Sequence, residues 1–195
     1  MKEPLILASA SPRRRELLAK LGLRFEVMPS DIDEILRPGE APEVFARRMA
    51  REKAIEVAQR WSGRCVLAAD TVVIVAGSVF GKPRDRAEAR SMLQALSGRP
   101  HRVVTAVALV GPTGEVEEVL VESTVEFRRI EAGEIECYLD SGEPFDKAGA
   151  YAVQGIARAF VERVRGSFSN VVGLPMDEVA ELLHRHLETD VAAAP

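Results

Sequence analysis

The sequence predicts an α/β chain. Three observations carry this: short apolar runs such as Leu5–Ala8 that suit buried strands, helix-periodic stretches between them, and the run Cys65–Val75. The last is almost continuously apolar, which suits a central strand covered on both faces. At 195 residues the chain can bury a substantial core, as one domain or one two-lobed unit. Its net charge of −4 argues against a coat for nucleic acid, so local basic residues read as sites. Cys65 and Cys137 fit no metal-ligand spacing and read as buried thiols in a reducing compartment. No apolar run approaches the ~20 residues of a membrane span, and no apolar leader opens the chain. The expectation is a cytoplasmic protein without a membrane partner.

Leu5–Ala8 leads into Ser9-Ala10-Ser11-Pro12 and then Arg13-Arg14-Arg15. Ser11 suits a helix N-cap and Pro12 the first helical position, where a missing N–H costs nothing. The arginines oppose the macrodipole, each by up to ~1 kcal/mol, because anions are favoured at that end. A strand, a turn of small residues and a cationic helix start fit a phosphate site; they fit a solvated basic helix end equally well. This helix should stop near Gly22. Arg24–Met28 follows as a strand, then an acidic turn with Asp31, Asp33 and Glu34. That turn is either a solvated loop or a source of oxygen ligands for a divalent cation.

Pro42–Trp61 has an apolar stripe of Phe45, Met49, Ala50, Ala54, Val57 and Trp61, so it reads as a helix stopped at Gly63. Lys53 lies on that stripe, as a snorkelling stem or as an ammonium held toward an anion. Asp70 interrupts the central strand, where a carboxylate must be paired, protonated or metal-bound. Ala76-Gly77-Ser78 reads as a turn. Gly81-Lys82-Pro83 then closes a short return, holding Lys82 on a constrained loop. Asp85 and Glu88 open a helix through Leu96. His101–Val110 and Glu115–Arg129 read as an antiparallel pair, the second with Val119, Val121, Val125 and Phe127 on its dry face. His101 carries no role at this level. A short helix is expected around Glu134–Leu139, then a glycine-punctuated segment to Gly155 in which Gln154 offers both donor and acceptor. Arg158–Val164 reads as a further strand, and Leu174-Pro175 starts a final helix that gives way to a frayed tail from Thr189.

Taken together, these residues resemble the Maf family of nucleotide pyrophosphatases. The resemblance is carried, in order, by Ser9–Arg14, Arg51-Glu52-Lys53-Ala54, Ala69-Asp70-Thr71, Gly81-Lys82-Pro83 and Ser97-Gly98, then Asp146–Tyr151 with Gln154-Gly155, and Val172-Gly173-Leu174-Pro175. It implies an elongated, twisted mixed β-sheet with flanking helices, two lobes around a nucleotide cleft, as in inosine triphosphatase-like folds. One such domain would cover residues 1–188, with 189–195 as the tail. The implied activity is hydrolysis of a nucleoside triphosphate to the monophosphate and pyrophosphate with a divalent cation, Mg²⁺ or Mn²⁺. Asp-Thr at 70–71 and the run ending Gln154-Gly155 are similar to the dTTP/UTP branch of the family. By motif position Asp70 is the proton acceptor, while Arg13, Thr71 and Gln154 select the base. Ser9, Arg14, Lys53 and Lys82 would hold phosphates, and Glu34 and Asp70 would face the metal. The resemblance favours a homodimer. A nucleotide-binding regulator of cell division, with slow or incidental hydrolysis, is the alternative reading.

Overall fold

A computed structural model describes residues 3–192 of the chain, with side chains described through residue 186. The tail expected from Thr189 therefore lies outside the described side chains. The chain divides into two compact units. The first comprises Met1–Asp70, Thr105–Leu120 and Gly173–Pro195, and the second Thr71–Val104 and Val121–Val172.

The strands are β1 (Leu5–Leu7), β2 (Phe25–Val27), β3 (Val66–Val75), β4 (Ser78–Phe80), β5 (Pro100–Val110), β6 (Val116–Phe127) and β7 (Val161–Arg165). They form one mixed sheet in the order β2-β1-β3-β5-β6-β7, with β4 paired to β3. β1 runs parallel to both β2 and β3, with Leu7 opposite Val27 on one side and Leu67 on the other. Parallel neighbours require crossovers. Helices α1 (Pro12–Ala19) and α2 (Pro42–Arg60) lie in the two connections. All of β1, and every β3 residue except Thr71, is buried. That accounts for the absence of polar alternation in both.

In the first unit, α1 starts as expected: Ser11 is the N-cap, its Oγ accepting from the Arg14 N–H, and Pro12 occupies the first turn. α2 buries Phe45, Met49, Ala50, Lys53, Ala54 and Val57. α6 (Met176–Ala192) buries Val179, Leu182 and Leu183. In the second unit, β3 and β4 join through Ala76 and Gly77, both at positive φ (47° and 83°), the twist-matched geometry of a two-residue hairpin. α3 (Arg86–Leu96) is N-capped by Asp85 and packs against α4 (Ala132–Asp140).

Three expectations are corrected and one unanticipated helix is added. The strand read from Arg158 begins only at Val161. Residues 156–160 instead form a 3₁₀ turn, in which the Arg158 N–H donates to Gly155 O at 3.0 Å. A short helix, α5 (Phe168–Val172), precedes α6; Ser167 Oγ starts it by accepting from the Asn170 N–H. The valine face of β6 is dry only at its C-terminal end, where Val125 and Phe127 are buried; Val119 and Val121 stay half-exposed. The cysteines are not buried: Cys65 is half-exposed and Cys137 exposed. Position 137 projects from the side of α4 away from its buried Ile135, Tyr138 and Leu139.

Candidate active site

The site grows from the end of β1. Ser9 is buried, and its Oγ accepts from the Ser11 N–H at 3.2 Å and from Arg14 Nη1 at 3.4 Å. Arg14 Nε donates to the Gly173 carbonyl at 2.8 Å. A turn and a carbonyl more than 150 residues downstream thus clamp this guanidinium at the α1 N-terminus. Burial pulls the Arg14 pKa below the ordinary arginine value, against the opposing pull of the nearby Asp70 and Glu34 carboxylates. An arginine stays charged regardless, so the α1 N-terminus carries a fixed positive charge beside the Asp70 and Glu34 carboxylates. Arg13, half-buried beside it, adds like charge.

Asp70 and Lys53 form the centre. Lys53 Nζ lies 2.6 Å from Asp70 Oδ1 and 2.6 Å from Glu34 Oε1. The Lys53 and Asp70 side chains are only 10% and 8% exposed, whereas Glu34 is 49% exposed. The Lys53 stem lies on the apolar stripe of α2, and its ammonium bridges two carboxylates of the protein itself. A buried aspartate needs that partner, because an unpaired carboxylate would lose its solvation.

A divalent cation fits this donor set in part. Two carboxylates already converge on one cation, and Mg²⁺ commonly takes one or two carboxylates with phosphate and water completing its shell. Among the described residues no group of three or more His, Cys, Asp or Glu side chains forms an all-protein cage. Glu34 and Asp70 are the two carboxylates at this centre that could contribute to holding such an ion.

Ser9, Arg13, Arg14, Glu34, Lys53 and Asp70 all belong to the first unit; Thr71, Lys82 and Gln154 belong to the second. Thr71 is half-buried, and Lys82 and Gln154 are exposed. Within the second unit, the loops of Lys82 and Gln154 are held by backbone. The Gly149 N–H donates to Gly81 O at 3.0 Å. Gly149 stands at φ +69°, where a Cβ would lie 3.0 Å from Val73 Cγ2, so both conformation and space call for glycine. Glu143 accepts from Tyr138 Oη at 2.9 Å and from the Ile156 N–H at 3.0 Å, and its carboxylate occupies the space that a Gly155 side chain would need. Beneath this segment Tyr151 Oη and His101 Nε2 share a 2.8 Å hydrogen bond, edge-on to Phe127. Burial pushes the His101 pKa down to about 4 and raises that of Tyr151.

Sequence reasoning missed the Gly173 carbonyl, the His101–Tyr151 pair and the Glu143 brace. The first two join residues 50 or more positions apart, and Glu143 reaches Ile156, 13 positions on, although its Tyr138 partner lies only five positions back.

A family model described as "Maf-like protein" matches residues 4–186. The chain belongs to the Maf family. Among curated relatives, a protein named dTTP/UTP pyrophosphatase from Anaeromyxobacter dehalogenans (strain 2CP-1 / ATCC BAA-258) is 54% identical over 95% of this chain and 95% of its own. One of the same name from Myxococcus xanthus (strain DK1622) is 55% identical over 93% and 91%. A solved HAM1 protein from Coxiella burnetii aligns over 95% of this chain and 100% of its own at 19% identity, with a TM-score of 0.47. No helix among the described residues is long and apolar enough to cross a membrane.

Proposed function

We propose that this Maf-family chain hydrolyses dTTP and UTP to the monophosphate and pyrophosphate. One observation carries the reading: a buried carboxylate, Asp70, held at 2.6 Å by Lys53 and within electrostatic reach of the clamped Arg14. A triphosphate needs cations for its charge and a base for the attacking water, and this cluster supplies both within one unit. The substrate is taken from the names of relatives about half identical to the chain over nearly its full length.

In this reading water attacks the α-phosphorus and the α–β anhydride breaks, with pyrophosphate leaving. Asp70 accepts the proton of the water. Arg14 and Lys53 offset charge developing on the phosphate oxygens, Ser9 and the N–H groups opening α1 orient them, and Lys82 adds a further cation. Lys53 must loosen its hold on Asp70 as the phosphates arrive, which frees the carboxylate to act. A divalent cation, Mg²⁺ or Mn²⁺, when held by Glu34 and Asp70, supplies charge neutralisation and acidifies bound water. Arg13, Thr71 and Gln154 read the base. A pocket that hydrogen-bonds its base rejects a mismatched one far more strongly than an apolar pocket does. The setting is the cytoplasmic nucleotide pool, with the chain acting as a homodimer.

The test is a screen of nucleoside triphosphates with and without Mg²⁺ or Mn²⁺, with products identified by chromatography. dTTP and UTP should yield monophosphate and pyrophosphate in equal amounts. Release of single orthophosphates would sink the α-phosphorus assignment. A rise in melting temperature with dTTP and no pyrophosphate would mark a binding protein instead.

A further inference from the structure

Glu34 poses a problem that the site by itself does not solve. It sits on the loop between β2 and α2, where residues 33–39 are all exposed and none lies in a helix or strand. Its half-exposed carboxylate nevertheless meets the buried Lys53 ammonium at 2.6 Å. That contact ties down a single residue of the loop, and each further residue that is ordered costs chain entropy.

Arg48, on α2, supplies the missing order. Its Nη2 donates to the carbonyl of Ile35, the residue after Glu34, at 2.9 Å. The same guanidinium takes Glu40 in a two-pronged pair, Nε to Oε1 and Nη2 to Oε2, both at 2.7 Å. Glu40 closes the circuit: its Oε2 accepts from the Arg37 N–H, and its own N–H donates to Arg37 O, each at 3.0 Å. The Arg48 and Glu40 side chains are 15% and 7% exposed, unlike those of the loop they hold. The guanidinium also lies 5.5 Å from the Phe45 ring. The bidentate pair holds the Glu40 carboxyl down to about 2, so the clamp stays charged through the neutral range.

Arg48 and Lys53 stand five residues apart on α2, about 7.5 Å along the helix axis. One rigid element therefore both grips the loop and presents the ammonium that Glu34 meets. We propose that Arg48 is a positioning residue that, through Ile35 and Glu40, holds Glu34 at the Lys53–Asp70 centre. The inference rests on the reading of Glu34 given under Proposed function.

The test compares Arg48→Met, Arg48→Lys, Glu34→Gln and the Arg48→Met/Glu34→Gln double variant in the full chain. Two quantities are read: amide hydrogen exchange of residues 31–39 without metal or nucleotide, and the Mn²⁺ concentration giving half-maximal pyrophosphate release from dTTP. Arg48→Met should speed exchange in the loop by about tenfold or more, the signature of a local opening. It should raise the Mn²⁺ requirement about as much as Glu34→Gln does, with kcat at saturating Mn²⁺ much less affected. The double variant should be no worse than Glu34→Gln, since both changes act through one carboxylate. Arg48→Lys, which keeps charge and stem but loses the fork, should show the same pattern and carries the test if Arg48→Met fails to fold. Impairment by Glu34→Gln with Arg48→Met silent in both readouts would overturn the positioning role alone. A silent Glu34→Gln would remove the reading of Glu34 itself, and the role of Arg48 with it.

Discussion

Asp70→Asn removes one charge from a buried pair while keeping the shape of the side chain. The Lys53 ammonium it leaves behind is 10% exposed. Breaking a buried pair by removing one partner costs about 3–5 kcal/mol where nothing compensates. Here Glu34 stays at 2.6 Å from the same ammonium, and the asparagine oxygen can still accept from it. The expected loss is therefore nearer ~2 kcal/mol, or about 4–8 °C in melting temperature for a chain of this size. Activity should fall much further. A positioned base contributes about 10²–10⁴-fold, so turnover of dTTP should drop by about that factor while nucleotide binding is largely kept. Three measurements separate the effects: a thermal melt, kcat at saturating dTTP and Mg²⁺, and affinity for a non-hydrolysable dTTP analogue. Lys53→Met/Asp70→Asn should regain much of the lost stability, because it removes the stranded charge, and none of the turnover. Turnover of Asp70→Asn within about tenfold of the parent would refute Asp70 as the base. An unchanged melting temperature would refute the buried pair.

Three further outcomes follow from the second unit. His101 is neutral and buried with a pKa of about 4, against 6.5 when exposed. The unfolded chain takes up a proton as pH falls through 6.5 while the folded chain does not, so stability is lost from about pH 6.5 down to about pH 4. The gap is worth about 3 kcal/mol; urea titrations at pH 7.5 and 4.5 should show that extra acid sensitivity in the parent and not in His101→Gln. Gly149→Ala forces a side chain into left-handed backbone against Val73, and the strain and crowding should cost about 2–4 kcal/mol in denaturant melts. An unshifted midpoint would contradict the close approach. Gln154→Glu replaces the amide donor with a second acceptor and should reduce the preference for dTTP and UTP over purine triphosphates in a competition assay; an unchanged profile would clear Gln154 of base selection.

Much of the local structure was legible in the chain. Ser11-Pro12 announced the start of α1, and Asp85 with Glu88 that of α3, because caps are short-range hydrogen bonds between residues a few positions apart. Leu5–Leu7 and Val66–Val75 read as buried strands because burial on both faces removes polar alternation. Periodicity failed where regular elements gave way to turns. Arg158–Phe160 reads as the start of a strand, yet the Arg158 N–H closes back three residues onto Gly155 O instead of pairing sideways. Cys137 reads as apolar by its neighbours, but it points to the wet side of a helix whose orientation packing decides.

The site divides along the same line. Residue types and order marked Arg14, Lys53 and Asp70 as charged groups out of place in their elements: arginines at a positive helix end, a lysine on an apolar stripe, a carboxylate in a buried strand. What each was paired with stayed invisible, because pairing is set by which elements meet in space. Tertiary structure alone bridged the Lys53 ammonium between Asp70 and Glu34. It alone gave Arg14 to the Gly173 carbonyl and placed Arg48 beside the loop that carries Glu34. A charge in an apolar setting can be found in one dimension because desolvation is a property of the neighbourhood; the partner that relieves it is chosen by the fold.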